Sequence, residues 1–197
     1  MEPLQLVTLA LALALAIWAL LTYNALVRRR NEMGNAFAQI DVQLKRRFDL
    51  VPNLVETASR YLQHERETLE AVAQARAGVG RAADAARGHA GERQAMQALS
   101  AADGALGQLL GRLMVVVEAY PALKADARMA ELSEELAHTE NRIAFARQAF
   151  NDAVLDYNND AQQAPANLVA GLFGFRPAAM LEATDQPAQR EAPRVRF

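Results

Sequence analysis

From Asn35 to Arg76 apolar residues recur at steps of three and four: Phe37, Ile40, Leu44, Phe48, Val51, Val55, Ala58 and Leu62, then Leu69 and Val72. A helix brings such positions to one face, whereas a strand would need strict alternation. The stretch therefore specifies amphipathic helices that bury one stripe against partners. Between the seam residues sit charges, including Asp41, Lys45, Arg46, Arg47, Glu56 and Glu65. Composition agrees with helices. Of the 197 residues 52% are hydrophobic but only 6% aromatic, so the apolar mass is mostly Ala, Leu and Val, which favour close-packed helices over a sheet core. The charges nearly cancel at -2, which implies no general affinity for nucleic acid. Cysteine is absent, which removes disulfides, thiolate metal sites, Fe–S clusters, cysteine nucleophiles and lipoprotein acylation.

Leu4 to Tyr23 is an uncharged run of 20 residues. As a helix it is about 30 Å long, the thickness of a bilayer's hydrocarbon core. Trp18 and Tyr23 lie toward its C-terminal end, where amphipathic rings suit the interface. A cleaved signal peptide fits poorly, because Met1 and Glu2 supply no basic leader and the run is long. Arg28, Arg29 and Arg30 follow at once, and the positive-inside rule puts the C-terminal part in the cytoplasm and the N-terminus outside. The three arginines read as a topology and snorkelling device, with anionic headgroup recognition as the sharper alternative. The expected location is a membrane that borders the cytoplasm, crossed once.

Residues 1–24 are thus an anchor and 25–163 a helical domain. Pro52 admits two readings: a kink in one long helix, or the first turn of a new helix capped by Asp49. The second gives four helices of similar length, about 25–48, 50–77, 92–120 and 126–163, expected to close an antiparallel up-and-down four-helix bundle, an all-α fold. Gly78 to Arg93, with four of the ten glycines, reads as a flexible connection. In the third helix Leu99, Ala102, Leu106, Leu109, Leu113, Val116 and Tyr120 share a face. Gly107 and Gly111 there have a small-xxx-small spacing expected to serve close helix approach. Residues 164–183 form an apolar strap around Leu172, Phe173 and Phe175, docked on the bundle or inserted into the membrane interface or a neighbouring subunit. Residues 184–197, rich in charge and proline, read as a mobile tail.

Reaction chemistry finds no foothold in this pattern. His64-Glu65-Arg66-Glu67-Thr68 begins like a zinc-protease helix but lacks the second histidine. Glu135-Leu136-Ala137-His138 matches the Glu-x-x-His of di-iron bundles once, and such a site needs two. Ser59, Ser100 and Ser133 sit in no nucleophile elbow, and no phosphate loop is present. No cofactor, metal or catalytic residue is expected. A polar row on the last helix, Glu140, Arg147, Asn151 and Asn158, is either an interaction groove or a partly buried network that fixes helix register.

Five ordered blocks resemble the LemA family of bacterial membrane-anchored helical proteins: Ile40–Thr57, His64–Ala77, Glu118–Ala125, Glu140–Asn158 and Pro165–Phe175. The resemblance implies one N-terminal membrane helix, a helical bundle and no assigned reaction, and it brings no catalytic residues. The expected function is a non-enzymatic, membrane-tethered scaffold that self-assembles in the bilayer. The alternative is an accessory subunit of a membrane enzyme such as a peptidase, with Glu140, Arg147 and Asn151 facing that partner.

Overall fold

The structure is a computed structural model, and it describes residues 2–182. Its elements are α1 (Pro3–Ser59), α2 (Arg66–Arg87), α3 (Arg93–Ala119), α4 (Pro121–Lys124), α5 (Ala127–Gln162) and α6 (Ala166–Leu172). No strand occurs among the described residues. The expected tail at 184–197 lies outside them.

The longest element overturns the expected break at Phe48–Asp49. Helix α1 runs unbroken for 57 residues with Pro52 inside it, about 85 Å of continuous rod. An internal proline removes one hydrogen bond and leaves the carbonyl four residues back without its usual donor. That carbonyl is Phe48 O, and Arg76 Nε of α2 donates to it at 2.7 Å. The same guanidinium lies over the Phe48 ring, 3.4 Å from its centroid. Arg76 thus replaces the lost donor and adds a cation–π contact. Gly80 lets the ring come this close: a Cβ there would stand 3.0 Å from Phe48 Cε2. Asp49 caps nothing, and the real turn falls later, at residues 60–65.

Helix α2 also outruns expectation. Gly78 to Arg87 is helical rather than a flexible connection, because Val79, Ala83 and Ala86 are buried in the core. Only residues 88–92 turn. The expected seam of α1 and α2 is otherwise buried at Phe37, Ile40, Leu44, Val51, Ala58, Leu62, Leu69 and Val72, with Phe48 and Val55 at its margin. In α3 the expected Leu99, Leu106 and Leu113 are buried, but Leu110 and Val117 take the places of Leu109 and Val116, which are partly covered. A Cβ on Gly107 or Gly111 would meet nothing within 4 Å, so that pair does not serve close approach within the chain.

Helix α1 is the spine on which the others hang. It packs on α5 and α2, and α2 packs on α3. Ion pairs fix the directions. Arg29 meets Asp160 at 2.8 Å while Arg46 meets Glu135 at 3.2 Å, so α5 runs antiparallel to α1. Asp41 meets Arg87 at 2.8 Å while Phe48 meets Arg76, so α2 is antiparallel to α1 as well. Phe37 and Phe150 stack edge to face at 5.6 Å between α1 and α5. At the end far from the apolar run, Asp126 caps α5 by accepting from Arg128 and Met129 N–H, and it also accepts from the Tyr61 hydroxyl at 2.8 Å.

Two expectations follow. Arg76→Ala should lower folding stability by about 1–3 kcal/mol, the cost of an unsatisfied carbonyl. In a Pro52→Ala background, where position 52 again supplies an N–H, the same substitution should cost clearly less; denaturant melts of the four proteins of this cycle check the coupling. The second concerns Asp126, whose carboxyl is held below the ordinary carboxylate range, first by the Met129 N–H and then by the Tyr61 hydroxyl. Such a group stabilises the fold above its unfolded value of about 4 and loses that effect as pH falls through its lower folded value. Asp126→Asn, still a competent cap, should melt below the wild type at neutral pH, with the gap closing as pH falls through the lowered folded value.

Candidate functional site

Two places concentrate side chains that the sequence singles out: a polar seam along α5, and the end of the molecule beside the apolar run. The seam begins in the core. Arg47 is 1% exposed, although it reads in sequence as one more charge between seam residues. It pairs with Asp103 of α3 and, at 2.6 Å, with Glu140 of α5. Its phase explains the burial, since Leu44, Arg47, Val51 and Leu54 follow one another on the inner face of α1. A guanidinium there ties three helices into one register, with Arg47 buried and Glu140 reaching it from the half-exposed flank of α5.

Further along α5, Asn151 and Asn158 grip the segment after α6. Asn158 Nδ2 donates to Ala178 O at 2.9 Å, and Ala178 N–H donates to Asn158 Oδ1 at 2.8 Å. Asn151 makes the same double contact with Leu181, at 3.1 and 2.9 Å. The spacing is matched: seven helical residues rise about 10.5 Å, and three extended residues cover about 10 Å. Tyr157 adds a hydroxyl bond to Arg176 O at 2.9 Å, and burial raises its phenol above the ordinary value. On the other side, Ala179 N–H donates to Gly91 O and Ser100 Oγ donates to Glu182 O. The strap therefore lies between α5 and the start of α3, with Leu181 buried in the core. Gly91 is required twice. Its φ is +87°, and a Cβ would stand 2.9 Å from Ala178 Cβ.

The remaining expected site residues divide. Arg147, half-buried, borders the small gap between Asp103 and Leu181. Phe173 and Phe175 stack edge to face on Tyr23 of α1, at 4.9 and 5.6 Å. Ala170 of α6 packs with Leu26 and Ala161, while Leu172 points away and is 80% exposed. Of the three arginines, Arg29 binds Asp160, Asp156 and Glu32, Arg28 is exposed, and Arg30 borders a cleft of about 450 Å³ between the α2–α3 turn and the strap. No group of three or more His, Asp or Glu among the described residues is placed to hold a metal. Glu135 is engaged by Arg46, and His138 lies 3.6 Å from Glu134.

The sequence model described as the LemA family matches residues 36–197. The chain is also similar to magnetosome proteins MamQ 1 and MamQ 2 of Paramagnetospirillum magneticum, 28% identical over 192 residues, covering 90% of this chain and 71% of each relative. Magnetosome protein MamQ of Magnetospirillum gryphiswaldense is 28% identical over 192 residues, covering 88% of this chain and 71% of that protein.

The Asn clamp generates a test. Asn158→Asp keeps an acceptor for Ala178 N–H but turns a second acceptor toward Ala178 O. Amide exchange at Ala178, Ala179 and Leu181 should accelerate at least about tenfold, as one lost buried bond implies, while exchange in the middle of α1 stays as in the wild type.

Proposed function

This chain belongs to the LemA family, and we propose that it is a non-enzymatic, single-pass membrane scaffold in which α1 is both the anchor and the spine of a four-helix bundle. The observation that carries the reading is the continuity of α1. Its first twenty or so residues are long and apolar enough to cross a bilayer, with side chains from Leu4 to Leu21 largely exposed. The same helix then becomes the most deeply packed element of the core. Helix α3 is also long and apolar enough to span, but one face of it is core, from Met96 to Val117. The long helices α1, α2, α3 and α5 form the bundle, with the strap closing the gap between α3 and α5. The charge after the apolar run favours an orientation with the bundle in the cytoplasm of a bacterial cell and the N-terminus outside.

A rod fixed in the membrane presents every copy in one orientation. Confinement to two dimensions raises their effective concentration, so weak lateral contacts suffice for assembly. The contact surface is the outer face of α3, where Gly107, Gly111 and Val115 recur every four residues. Val115 is 69% exposed, and the glycines face open space. The relatives are named as magnetosome proteins, and a membrane-organising role for this chain is compatible with that company. The second reading, an accessory subunit docking through Glu140, Arg147 and Asn151, has less surface to use. Arg47 already engages Glu140, and the strap occupies Asn151.

Because the chain has no cysteine, one engineered thiol reports self-contact. Val115→Cys in native membranes should form a disulfide-linked dimer on mild oxidation, whereas Arg66→Cys, on an 87% exposed side chain of α2, should not. A Val115→Cys protein that stays monomeric, or whose thiol couples only to other proteins, contradicts self-assembly through this face.

A further inference from the structure

We propose that α6 and the adjoining arginine cleft form a lipid-binding surface, with α6 embedded in the bilayer interface and the cleft holding the phosphate of an anionic lipid headgroup. The inference rests on the reading of Leu4–Tyr23 as a membrane span. It concerns a second, separate contact with the bilayer.

The depth of α6 follows from its partners. Phe173 and Phe175 stack on Tyr23, the last residue of the apolar run. Val169 and Ala170 are buried, and Ala170 packs with Leu26 one turn further on. Helix α6 is therefore held beside α1 at the level where the span ends. Its outer face is apolar: Leu168 is 71% exposed, Leu172 80% and Phe173 57%. Water is a poor neighbour for such a face, and the acyl boundary that surrounds Tyr23 at the same level is a good one. Continuity with the span selects lipid over a soluble partner.

The charge pattern beside α6 points the same way. Arg30, Arg93 and Arg176 border one cleft of about 450 Å³, and among the described residues that line it Glu92 is the one carboxylate. None of the three has a carboxylate partner among the described residues, whereas Arg29 has three. Arg30 lies seven residues beyond Tyr23, about 10 Å along the helix. The headgroup layer is roughly 5–8 Å thick on each side, so a long side chain there reaches the phosphates. Guanidiniums pair with phosphate in a forked geometry, and the low dielectric of the interface strengthens the contact.

The test uses the full chain in nanodiscs of phosphatidylcholine and phosphatidylglycerol, with bromine on the acyl chains of one lipid or the other. Trp18, the sole tryptophan, lies inside the run and reports the anchor in the wild-type protein. Leu172→Trp in a Trp18→Phe background reports α6, and Phe145→Trp in that background is the solvent control, since Phe145 is 73% exposed on α5. The Leu172→Trp reporter should be quenched and the Phe145→Trp one not. At equal mole fraction, bromine on phosphatidylglycerol should quench Leu172→Trp at least about twofold more than bromine on phosphatidylcholine. That preference should vanish in the Arg30→Gln, Arg93→Gln, Arg176→Gln protein while quenching itself persists. An unquenched Leu172→Trp with Trp18 quenched overturns the proposal and leaves the anchor standing; both unquenched overturns the anchor as well. Equal quenching by the two lipids overturns the headgroup site. So does loss of the preference on adding millimolar inorganic phosphate, which would assign the cleft to a soluble anion.

Discussion

The hydrogen bond from Arg76 to the Phe48 carbonyl is the contact on which the rest of the molecule depends. Proline inside a helix normally ends or kinks it, because one donor is missing and the carbonyl four residues earlier is orphaned. Here the donor comes from another helix, so the repair of α1 and the docking of α2 are a single event. The continuous rod brings the apolar run and the inner face of the core into one phase. It also places Arg29, Arg46 and Arg47 where α5 can answer them with Asp160, Glu135 and Glu140. A turn at Phe48 would have taken Val51, Leu54 and Ala58 out of phase with Ile40, Leu44 and Arg47.

Much of this is legible in the linear chain. The three-four spacing of Phe37, Ile40, Leu44 and Val51 marks buried positions, and all four are buried. Tyr120-Pro121 ends α3, and Asp126 caps α5. What escapes is whatever depends on a residue distant in sequence. Pro52 reads as a helix start because nothing local reveals that Arg76 will reach Phe48 O. Arg47 reads as one more charge, although its place between Leu44 and Val51 in the inward phase is a usable signal. Gly78 to Arg87 reads as a loop from its glycines, but Val79, Ala83 and Ala86 keep a helical period through it. The polar row of α5 is visible as a row; that Asn151 and Asn158 grip backbone atoms of 178 and 181 requires the strap to be in place first.

The two ends of the molecule are built for different tasks. Away from the apolar run, Tyr61 and Asp126 tie the α1–α2 turn to the start of α5, a compact polar lock. Beside the run, α6 exposes leucines, and arginines without a carboxylate partner among the described residues stand next to it. The strap runs from the second of these regions into the middle of the bundle: it leaves α6 at Gly174, passes the cleft at Arg176 and reaches the core at Leu181. An event that moved α6 in the interface would therefore be felt at Asn158 and Asn151, and through the strap at the start of α3. Interface, strap and bundle are mechanically one unit only if α1 is stiff.

That stiffness is open to direct measurement. Spin labels at Asn24→Cys and Ser59→Cys, both exposed on α1 in a chain without native cysteine, report its length across Pro52 in nanodiscs. Thirty-five helical residues rise about 53 Å. A single narrow distance distribution centred near that value is the predicted result. A broad distribution, or one centred well below it, would mean that α1 bends at Pro52 and is not one continuous rod.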